Sequence, residues 1–242
     1  MSRLLNTAEA ARVLRVSEAS IRRWSDSGLL PAVRIGRRRE RRFNESDLLA
    51  FVERTASRQA TAATVTIGGA SVDVPAHVAT MFSTDDGGLR LTVPFLAEGL
   101  RLGQPTFLVA TDPLLTRYLA VLETQEGVDL ERARNEGLFT VVRFKEGNAP
   151  AAIAQFERLY AKALAGRHTI IRLVGEMAGV RTMFDSEDEM LRFEEAYEVM
   201  FRRYPIAAIC QYDARLFDGL ALLRTLKAHP DLYGLRIGTF LN

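Results

Sequence analysis

Cysteine, tryptophan and histidine are scarce in this chain, and long apolar runs are missing. The 242 residues include one cysteine, Cys210, one tryptophan and three histidines. A single cysteine excludes an intramolecular disulfide and a metal-binding Cys-x-x-Cys pair. No stretch approaches the roughly 20 uninterrupted apolar residues that span a bilayer, and the N-terminus lacks the apolar core and cleavage site of a signal peptide. We therefore expect a cytoplasmic protein with no membrane attachment.

Motifs for catalysis and metal binding are also missing. The sequence has no His-Glu-x-x-His, no Gly-x-Ser-x-Gly and no phosphate-binding Gly-x-x-x-x-Gly-Lys-[Ser/Thr]. His77, Cys210 and His229 would form a metal site only if the fold gathers them. Against that site, a lone buried cysteine is usually a small core residue, and His229 before Pro230 is typical of a helix end. We expect no metal, no cofactor and no enzymatic activity.

Positive charge is concentrated at the N-terminus. Residues 1–54 contain 12 arginines and 7 acidic residues, a net charge of +5, whereas the rest of the chain carries −3. A basic head on a mildly acidic remainder is typical of a nucleic-acid-binding module joined to another domain.

Two short helices across a tight turn are predicted in this basic segment. Asn6 or Thr7 caps a first helix that continues to Leu14, and Ser17 caps a second over residues 18–24. This arrangement places a recognition helix in the major groove of DNA. The side chains expected at bases or phosphates on these two helices are Thr7, Ser17, Ser20, Arg22 and Arg23.

A basic hairpin follows the second helix. Residues 32–35 are extended, Gly36 turns the chain, and residues 37–43 return before a closing helix through Val52. Arginines on such a wing neutralise phosphates and make affinity for DNA depend strongly on salt. The arginines expected to do so are Arg37, Arg38, Arg39, Arg41 and Arg42.

The order and spacing of these pieces resemble a known family. Thr7-Ala8-Glu9-Ala10-Ala11, Ile21-Arg22-Arg23-Trp24, Gly28-Leu29-Leu30-Pro31 and the run from Arg37 to Phe43 are similar to the winged helix-turn-helix of the MerR and excisionase superfamily. The resemblance implies double-stranded DNA as a partner. The long dimerising coiled coil that usually follows in MerR proteins is absent. We therefore assign residues 1–54 to a MerR-like DNA-binding domain, mostly α with a small β wing.

The remainder predicts a linker and an α/β domain. Residues 55–68 are assigned to the linker, because residues 55–64 are small and polar, although a short hairpin around Gly68-Gly69 is also possible. In the second domain, residues 69–242, apolar segments typical of buried strands alternate with helical ones, which favours a mainly parallel sheet. The predicted strands cover residues 106–110, 139–144, 169–174 and 206–212, with a possible last strand at 234–240. The predicted helices cover residues 89–101, 113–125, 149–165, 186–204 and 216–229.

Five ordered motifs in this domain resemble the MEDS sensory domain, named for methanogens, methylotrophs and the dichloromethane-responsive repressor. They are His77 to Phe82, Val93-Pro94-Phe95-Leu96 with Gly99 and Gly103, Gly175-Glu176-Met177, Cys210 to Asp213, and Leu226 with His229-Pro230. The resemblance implies a RecA- or KaiC-like core without a phosphate loop, which senses small hydrocarbon derivatives. Asp85 and Asp86 stand where a related ATPase would bind triphosphate. By this resemblance the ligand-binding residues are His77, Phe82, Glu176, Cys210, Tyr212 and Asp213.

These features predict a one-component transcription regulator. The second domain would bind a small molecule or a partner and would hold a homodimer together, since paired half-sites increase affinity for DNA. Its apolar residues Met190, Phe193, Tyr197 and Phe201 suit either the dimer contact or the core. Two alternatives remain open: an excisionase-like architectural DNA binder whose second domain only mediates assembly, and an enzyme domain targeted to DNA. For Glu176 a structural role, as a strand-end carboxylate bound by backbone N–H groups, is as reasonable as ligand binding.

Overall fold

The chain divides into two compact units, Met1–Ala62 and Ala63–Asn242. The computed structural model describes residues 4–14, 16–26, 30–36, 39–51, 63–166 and 168–234. Arg37, Arg38 and most of the predicted linker and last strand lie outside these residues.

The first unit is a helix-turn-helix with a three-stranded antiparallel sheet. The strand order is β1-β3-β2, with Leu4 paired with Asn44 and Val33 with Arg42. Gly36 has a φ of 74°, which suits glycine at the turn of the wing. The elements are β1 (Leu4–Leu5), α1 (Thr7–Leu14), α2 (Glu18–Asp26), β2 (Val33–Ile35), β3 (Glu40–Asn44) and α3 (residues 45–51).

Side-chain caps define where both helices of the motif begin. The Asn6 carboxamide accepts a hydrogen bond from the Glu9 N–H at 2.9 Å, and the Glu9 carboxylate accepts one from the Asn6 N–H at 2.8 Å. This reciprocal pair is a capping box, so Asn6 caps α1. Ser17 Oγ accepts from the Ser20 N–H at 3.1 Å and caps α2. Behind them lies a small core of Leu5, Ala10, Ala11, Ile21, Leu30, Phe43 and Leu48.

The second unit is an α/β domain around a five-stranded parallel sheet of order β6-β10-β9-β7-β8. A two-stranded hairpin, β4 with β5, precedes the sheet. The strands are β4 (Thr64–Ile67), β5 (Ala70–Asp73), β6 (Ala76–Phe82), β7 (Thr106–Val109), β8 (Phe139–Val141), β9 (Ile171–Glu176) and β10 (Ile206–Asp213). The helices are α4 (Asp85–Arg90), α5 (Thr92–Arg101), α6 (Leu114–Thr124), α7 (Leu130–Asn135), α8 (Ala149–Leu164), α9 (Met177–Arg181), α10 (Glu187–Met200) and α11 (Gly219–Ala228), with 3-10 helices at Phe201–Arg203 and Pro230–Gly234.

The mainly parallel sheet is confirmed, with three corrections. The edge strand β6 was not predicted as a strand, because His77 and Thr80 interrupt its apolar run. The predicted helix over residues 89–101 is two helices, α4 and α5, that meet at Leu91. The second unit also begins before residue 69, because β4 buries Val65 and Ile67 in the core of this unit.

Met190, Phe193, Tyr197 and Phe201 belong to the core of the second unit, where all four are buried. They are therefore unavailable for a dimer contact. Among the described residues, no helix combines the length and the hydropathy needed to cross a membrane.

Candidate functional site

Helix α2 presents a basic face opposite its buried face. Ile21 is fully buried in the core of the first unit, whereas Arg22 and Arg23 are exposed. Arg22 forms an ion pair with Glu18 one turn earlier. Because both partners are about half exposed, the pair is weak and a phosphate can compete for the arginine.

The wing is attached to the end of α2 through Asp26. The Asp26 carboxylate accepts hydrogen bonds from Arg34 on β2, at 3.2 Å, and from Arg41 on β3. The hydrogen bond from Arg41 lowers the pKa of Asp26, so the carboxylate is charged at neutral pH. Asp26 thereby bridges the end of α2 and both strands of the wing. Arg34 and Asp26 were not among the predicted site residues, although an acid at the end of a basic helix before a basic hairpin is a visible signal.

The other predicted DNA-contacting residues differ in their surroundings. Ser17 and Ser20 lie at the start of α2 with their hydroxyls 3.0 Å apart, so both belong to the cap. Arg42 pairs with Glu40 at 2.8 Å. Thr7 is half-buried at the start of α1 and Arg39 is exposed on the wing. Their contact with DNA stays a prediction.

The six residues predicted to bind a ligand are divided between the two faces of the sheet. His77 pairs with Ala208, two residues before Cys210, while Phe82 pairs with Asp213 and Glu176 with Gln211. Because successive side chains of a strand point to opposite faces, His77, Cys210 and Tyr212 share one face. Phe82, Glu176 and Asp213 belong to the other, so the six do not form one pocket.

On the second face both carboxylates have structural partners. Glu176 accepts hydrogen bonds from the N–H groups of Ala178, at 2.9 Å, and Gly179, at 2.7 Å, and caps α9. Asp213 accepts from the Arg215 N–H and guanidinium at 2.7 to 2.9 Å, and these hydrogen bonds lower its pKa. The structural role considered for Glu176 is the one that the geometry supports.

On the first face, His77 and Cys210 contact each other and two residues from other elements. His77 Nε2 lies 3.1 Å from Cys210 Sγ. Glu194, on α10, and His229, at the end of α11, complete a cluster whose nitrogen, sulfur and oxygen atoms all lie within 4.8 Å of one another. The fold thus brings together His77, Cys210 and His229, as a metal site would require, and adds Glu194 to them. No motif marks Glu194, because it is one of several glutamates on a charged helix.

Burial controls the protonation of this cluster. It lowers the pKa of His77 to about 3 and that of His229 well below its usual value. It raises the pKa of Glu194 to about 7 and that of the Cys210 thiol further above its usual value. Both imidazoles are therefore neutral near neutral pH, and the thiol is protonated when no cation is bound.

Two concave spaces border the cluster. A cleft of about 550 Å³ between α10 and α11 is lined by Glu194, Tyr212 and Thr225. A small apolar cavity of about 10 Å³ lies on the sheet near the carboxyl ends of β7 and β9, and Gly175, Glu194 and Cys210 contribute to its wall. The remaining wall is largely aromatic and includes Phe144, Phe156, Phe193 and Tyr197.

Comparison with known proteins agrees with this two-part architecture. The family model for the MEthanogen/methylotroph, DcmR Sensory domain (MEDS) matches residues 76–230, and a helix-turn-helix domain model matches residues 4–56. The transcriptional repressor DcmR of Methylorubrum extorquens is 36% identical over 243 aligned positions, which cover 95% of this chain and 91% of the repressor.

A solved structure shows the same fold in the second unit. The KaiC-like protein of the archaeon Pyrococcus horikoshii OT3 superimposes with a TM-score of 0.51 at 16% identity, over 67% of this chain and 77% of that protein. At this identity the likeness concerns the fold alone, and it confirms the expected KaiC-like core. The chain belongs to the MEDS family, as a DNA-binding regulator that carries a helix-turn-helix domain ahead of its sensory domain.

Proposed function

We propose that this chain is a transcriptional repressor that binds operator DNA as a homodimer. Its affinity for the operator would fall when the MEDS domain binds a small apolar molecule. The exposed basic face of α2, opposite the buried Ile21, carries the proposal. Similarity to a transcriptional repressor over nearly the whole chain supports repression. The protein would act by binding rather than catalysis, in the cytoplasm, where bacterial DNA is found.

The DNA interface of this proposal consists of α2 and the wing, in the manner of MerR proteins. Arg22 and Arg23 would contact base edges or phosphates in the major groove, because an arginine fork matches guanine O6 and N7. The wing arginines would bind the backbone and set the position of α2 without reading sequence. Asp26 would keep both parts in register.

The double variant Arg22→Ala/Arg23→Ala tests this interface. We expect it to weaken binding to the upstream DNA of the chain's own gene by at least ten-fold. The slope of the logarithm of the binding constant against the logarithm of the salt concentration should become shallower by about one for each phosphate that is no longer neutralised. Fluorescence anisotropy at two salt concentrations measures both quantities. The matched control is Arg132→Ala/Arg134→Ala, which removes two exposed arginines from α7 in the second unit. An equal weakening in both variants would mean that net charge alone drives binding.

A homodimer would give each half-site its own α2. The second unit would supply the contact, because its exposed leucines Leu216, Leu220 and Leu223 lie on or just before α11. The same titration reports the stoichiometry, since a dimer saturates one operator with two chains. Saturation with one chain per duplex would contradict the homodimer.

The apolar cavity beside β9 is the effector site of this proposal. Its volume of about 10 Å³ holds roughly one water-sized molecule, so a one- to three-carbon ligand would enter by displacing the surrounding aromatic side chains. Small hydrocarbon derivatives, the class implied by the MEDS resemblance, suit such a wall.

Gly175→Ala tests the cavity while leaving the surrounding side chains in place. A Cβ built at Gly175 meets only Met177 Sδ, at 3.4 Å, so the methyl group fits and occupies part of the space. We expect operator binding to stay unchanged while the response to short alcohols and halogenated hydrocarbons falls at least ten-fold. Anisotropy with a panel of these compounds measures the response. An unchanged response in Gly175→Ala would place the effector elsewhere, and loss of DNA binding would indicate a folding defect.

A further inference from the structure

Four metal-ligating side chains from four separate elements converge in the core of the second unit. His77 belongs to β6, Glu194 to α10, Cys210 to β10, and His229 follows α11. All four are at most 4% exposed. His77 Nε2 lies 3.1 Å from Cys210 Sγ and 4.0 Å from Glu194 Oε2, and His229 Nε2 lies 3.4 Å from Glu194 Oε2. Residues so far apart in sequence meet here through the tertiary fold alone.

Hydrogen bonds at the opposite nitrogens leave both Nε2 atoms free to ligate. His229 Nδ1 lies 2.8 Å from the Thr225 carbonyl oxygen, which only accepts, so the ring proton is on Nδ1. His77 Nδ1 lies 3.1 Å from the Glu198 carboxylate and donates to it in the same way. Metal-binding histidines are typically oriented by an acceptor at the other nitrogen.

One of these two Nε2 lone pairs is unsatisfied. His229 Nε2 is buried and has no hydrogen-bond partner among the described residues. A buried acceptor without a partner is costly, and this one points at Glu194 and the rest of the cluster. A cation at the centre would satisfy it.

We propose that His77, Glu194, Cys210 and His229 bind one divalent transition-metal ion, best matched by Zn²⁺. The ligands would be the two Nε2 atoms, Cys210 Sγ and a Glu194 carboxylate oxygen. This site goes beyond the regulator function and does not depend on DNA binding. Because Glu194 and Cys210 also border the apolar cavity, metal binding is measured without an organic effector.

Geometry and charge both suit a closed four-coordinate site. Tetrahedral Zn²⁺ with bonds of about 2.0–2.3 Å needs ligand atoms separated by about 3.3–3.8 Å. Four of the six separations among these residues lie between 3.1 and 4.0 Å, and all lie within 4.8 Å. Zn²⁺ with one thiolate, one carboxylate and two neutral imidazoles has zero net charge, which avoids an uncompensated charge in the core. On binding, the ion replaces the Cys210 thiol proton, and any proton on Glu194, which leave to solvent.

Outer contacts hold the ligands in place. The Tyr212 hydroxyl donates to Glu194 at 3.1 Å. Glu198, which accepts from His77, is bound by Arg202, and Arg202 also bonds Asp231 at 3.0 Å. The Asp231 carboxylate in turn accepts from the His77 N–H at 2.9 Å. Glu194 also lines the cleft between α10 and α11, which is the side from which the ion would enter.

Cobalt substitution of the full-length protein tests the site. The protein is stripped with EDTA, kept reduced and titrated with Co²⁺. We expect a thiolate-to-cobalt charge-transfer band and the visible bands of tetrahedral Co²⁺, both saturating at one ion per chain and abolished by Zn²⁺. Because Cys210 is the sole cysteine, the charge-transfer band can arise from no other residue.

Variants and X-ray absorption test the other ligands. Glu194→Gln and His229→Gln should each weaken Zn²⁺ binding at least ten-fold in a chelator competition. The matched controls, Glu195→Gln on the exposed face of α10 and His168→Gln, should leave it unchanged. If the ligand variants fail to fold by circular dichroism, X-ray absorption of the wild-type zinc protein decides the point, since it should show one sulfur and three nitrogen or oxygen neighbours.

Several results would overturn the proposal. The first is a folded wild-type protein that shows no charge-transfer band with Co²⁺. The second is a zinc coordination shell without sulfur. The third is an equal weakening of Zn²⁺ binding in the folded ligand variants and in the controls. In the last two cases the ion is bound elsewhere, and the four residues form only a buried hydrogen-bond network.

Discussion

Glu194 is a buried acid with a raised pKa, and it lies beside two buried histidines whose pKa values are lowered. Its pKa is raised to about 7 by burial, and hydrogen bonds from Tyr212 and Cys210 only partly offset that effect. His77 and His229, on the neighbouring β6 and beyond α11, have lowered pKa values instead. The protein therefore buries one acid that prefers to be protonated beside two bases that prefer not to be.

The sign of the resulting pH effect can be worked out for Glu194. A folded-state pKa of about 7, against 4.5 in the unfolded chain, means that the stabilising contribution is complete below pH 4.5 and is lost as the pH rises through 7. The total loss is roughly 3 kcal/mol. The histidines act in the opposite direction, because their contribution is lost as the pH falls below 6.5.

Glu194→Gln isolates this contribution, since both histidines remain in the variant. Between pH 5 and pH 8 the wild type should lose most of that roughly 3 kcal/mol, whereas the variant should not. The free energy of unfolding of the variant, minus that of the wild type, should therefore rise by this amount over the same interval. Urea unfolding in the presence of EDTA at the two pH values measures the difference. A difference that is the same at both values would show that Glu194 stays ionised in the folded protein.

Among the contacts between secondary-structure elements, those of the buried Arg172 connect β9 to α5. Its guanidinium donates to the Phe95 carbonyl at 2.8 Å and to Gln104 at 2.7 Å, and pairs with Glu98 at 2.7 Å. The side chain passes over Gly99, where a Cβ would lie 2.5 Å from Arg172 Cδ. Glycine at this position of α5 therefore makes room for the arginine.

Arg172→Met should lower the free energy of unfolding of the second unit by about 2–4 kcal/mol. The variant removes the charged donor of the Phe95 carbonyl, Gln104 and Glu98 at once, and buried hydrogen bonds to a charged group contribute more than neutral ones. Chemical denaturation followed by far-ultraviolet circular dichroism measures the change. Arg101→Ala is the control, because its ion pair with Glu126 is exposed and should contribute at most about 1 kcal/mol. Similar destabilisation of both variants would contradict the special role of Arg172.

Each of the two units has a hydrophobic core of its own. The core of the first unit is small, with seven buried residues in the described part of that unit, whereas the core of the second extends over the hairpin and both faces of the sheet. The only tryptophan, Trp24, packs against Phe51 in the first unit with ring centroids 5.0 Å apart. Its fluorescence therefore reports on the DNA-binding unit.

A fragment of residues 63–242 should fold without the first unit. We expect it to unfold cooperatively, with a midpoint within a few degrees of the transition that far-ultraviolet circular dichroism detects in the full chain, because its core is complete. A fragment of residues 1–62 should be marginal, since so short a chain buries only about 60% of its surface. Thermal melts of the three proteins measure this. An unfolded 63–242 fragment would show that the sensory unit depends on the helix-turn-helix.

Much of the fold was predictable because its signals are local. Ser17 and the Asn6–Glu9 box mark helix starts, Gly36 marks the wing turn, and apolar runs such as Ile206 to Tyr212 mark buried strands. Strand β6 was missed because its polar residues break the run. The hairpin around Gly68-Gly69 was anticipated, but the linker boundary at residue 68 placed β4 outside the second domain, because so short a strand buries its apolar side chains only against the rest of the unit.

The two-unit plan, the basic helix α2 and the parallel sheet follow from the sequence, since caps, turns and periodicity act over a few residues. Which polar side chains meet depends on the three-dimensional packing. The register of β6 with β10 placed His77 on the same face as Cys210, and the packing of α10 and α11 brought Glu194 and His229 to Cys210. Such meetings depend on strand register and helix packing, which leave no short-range pattern in the chain. His77 and Cys210, for example, are 133 positions apart.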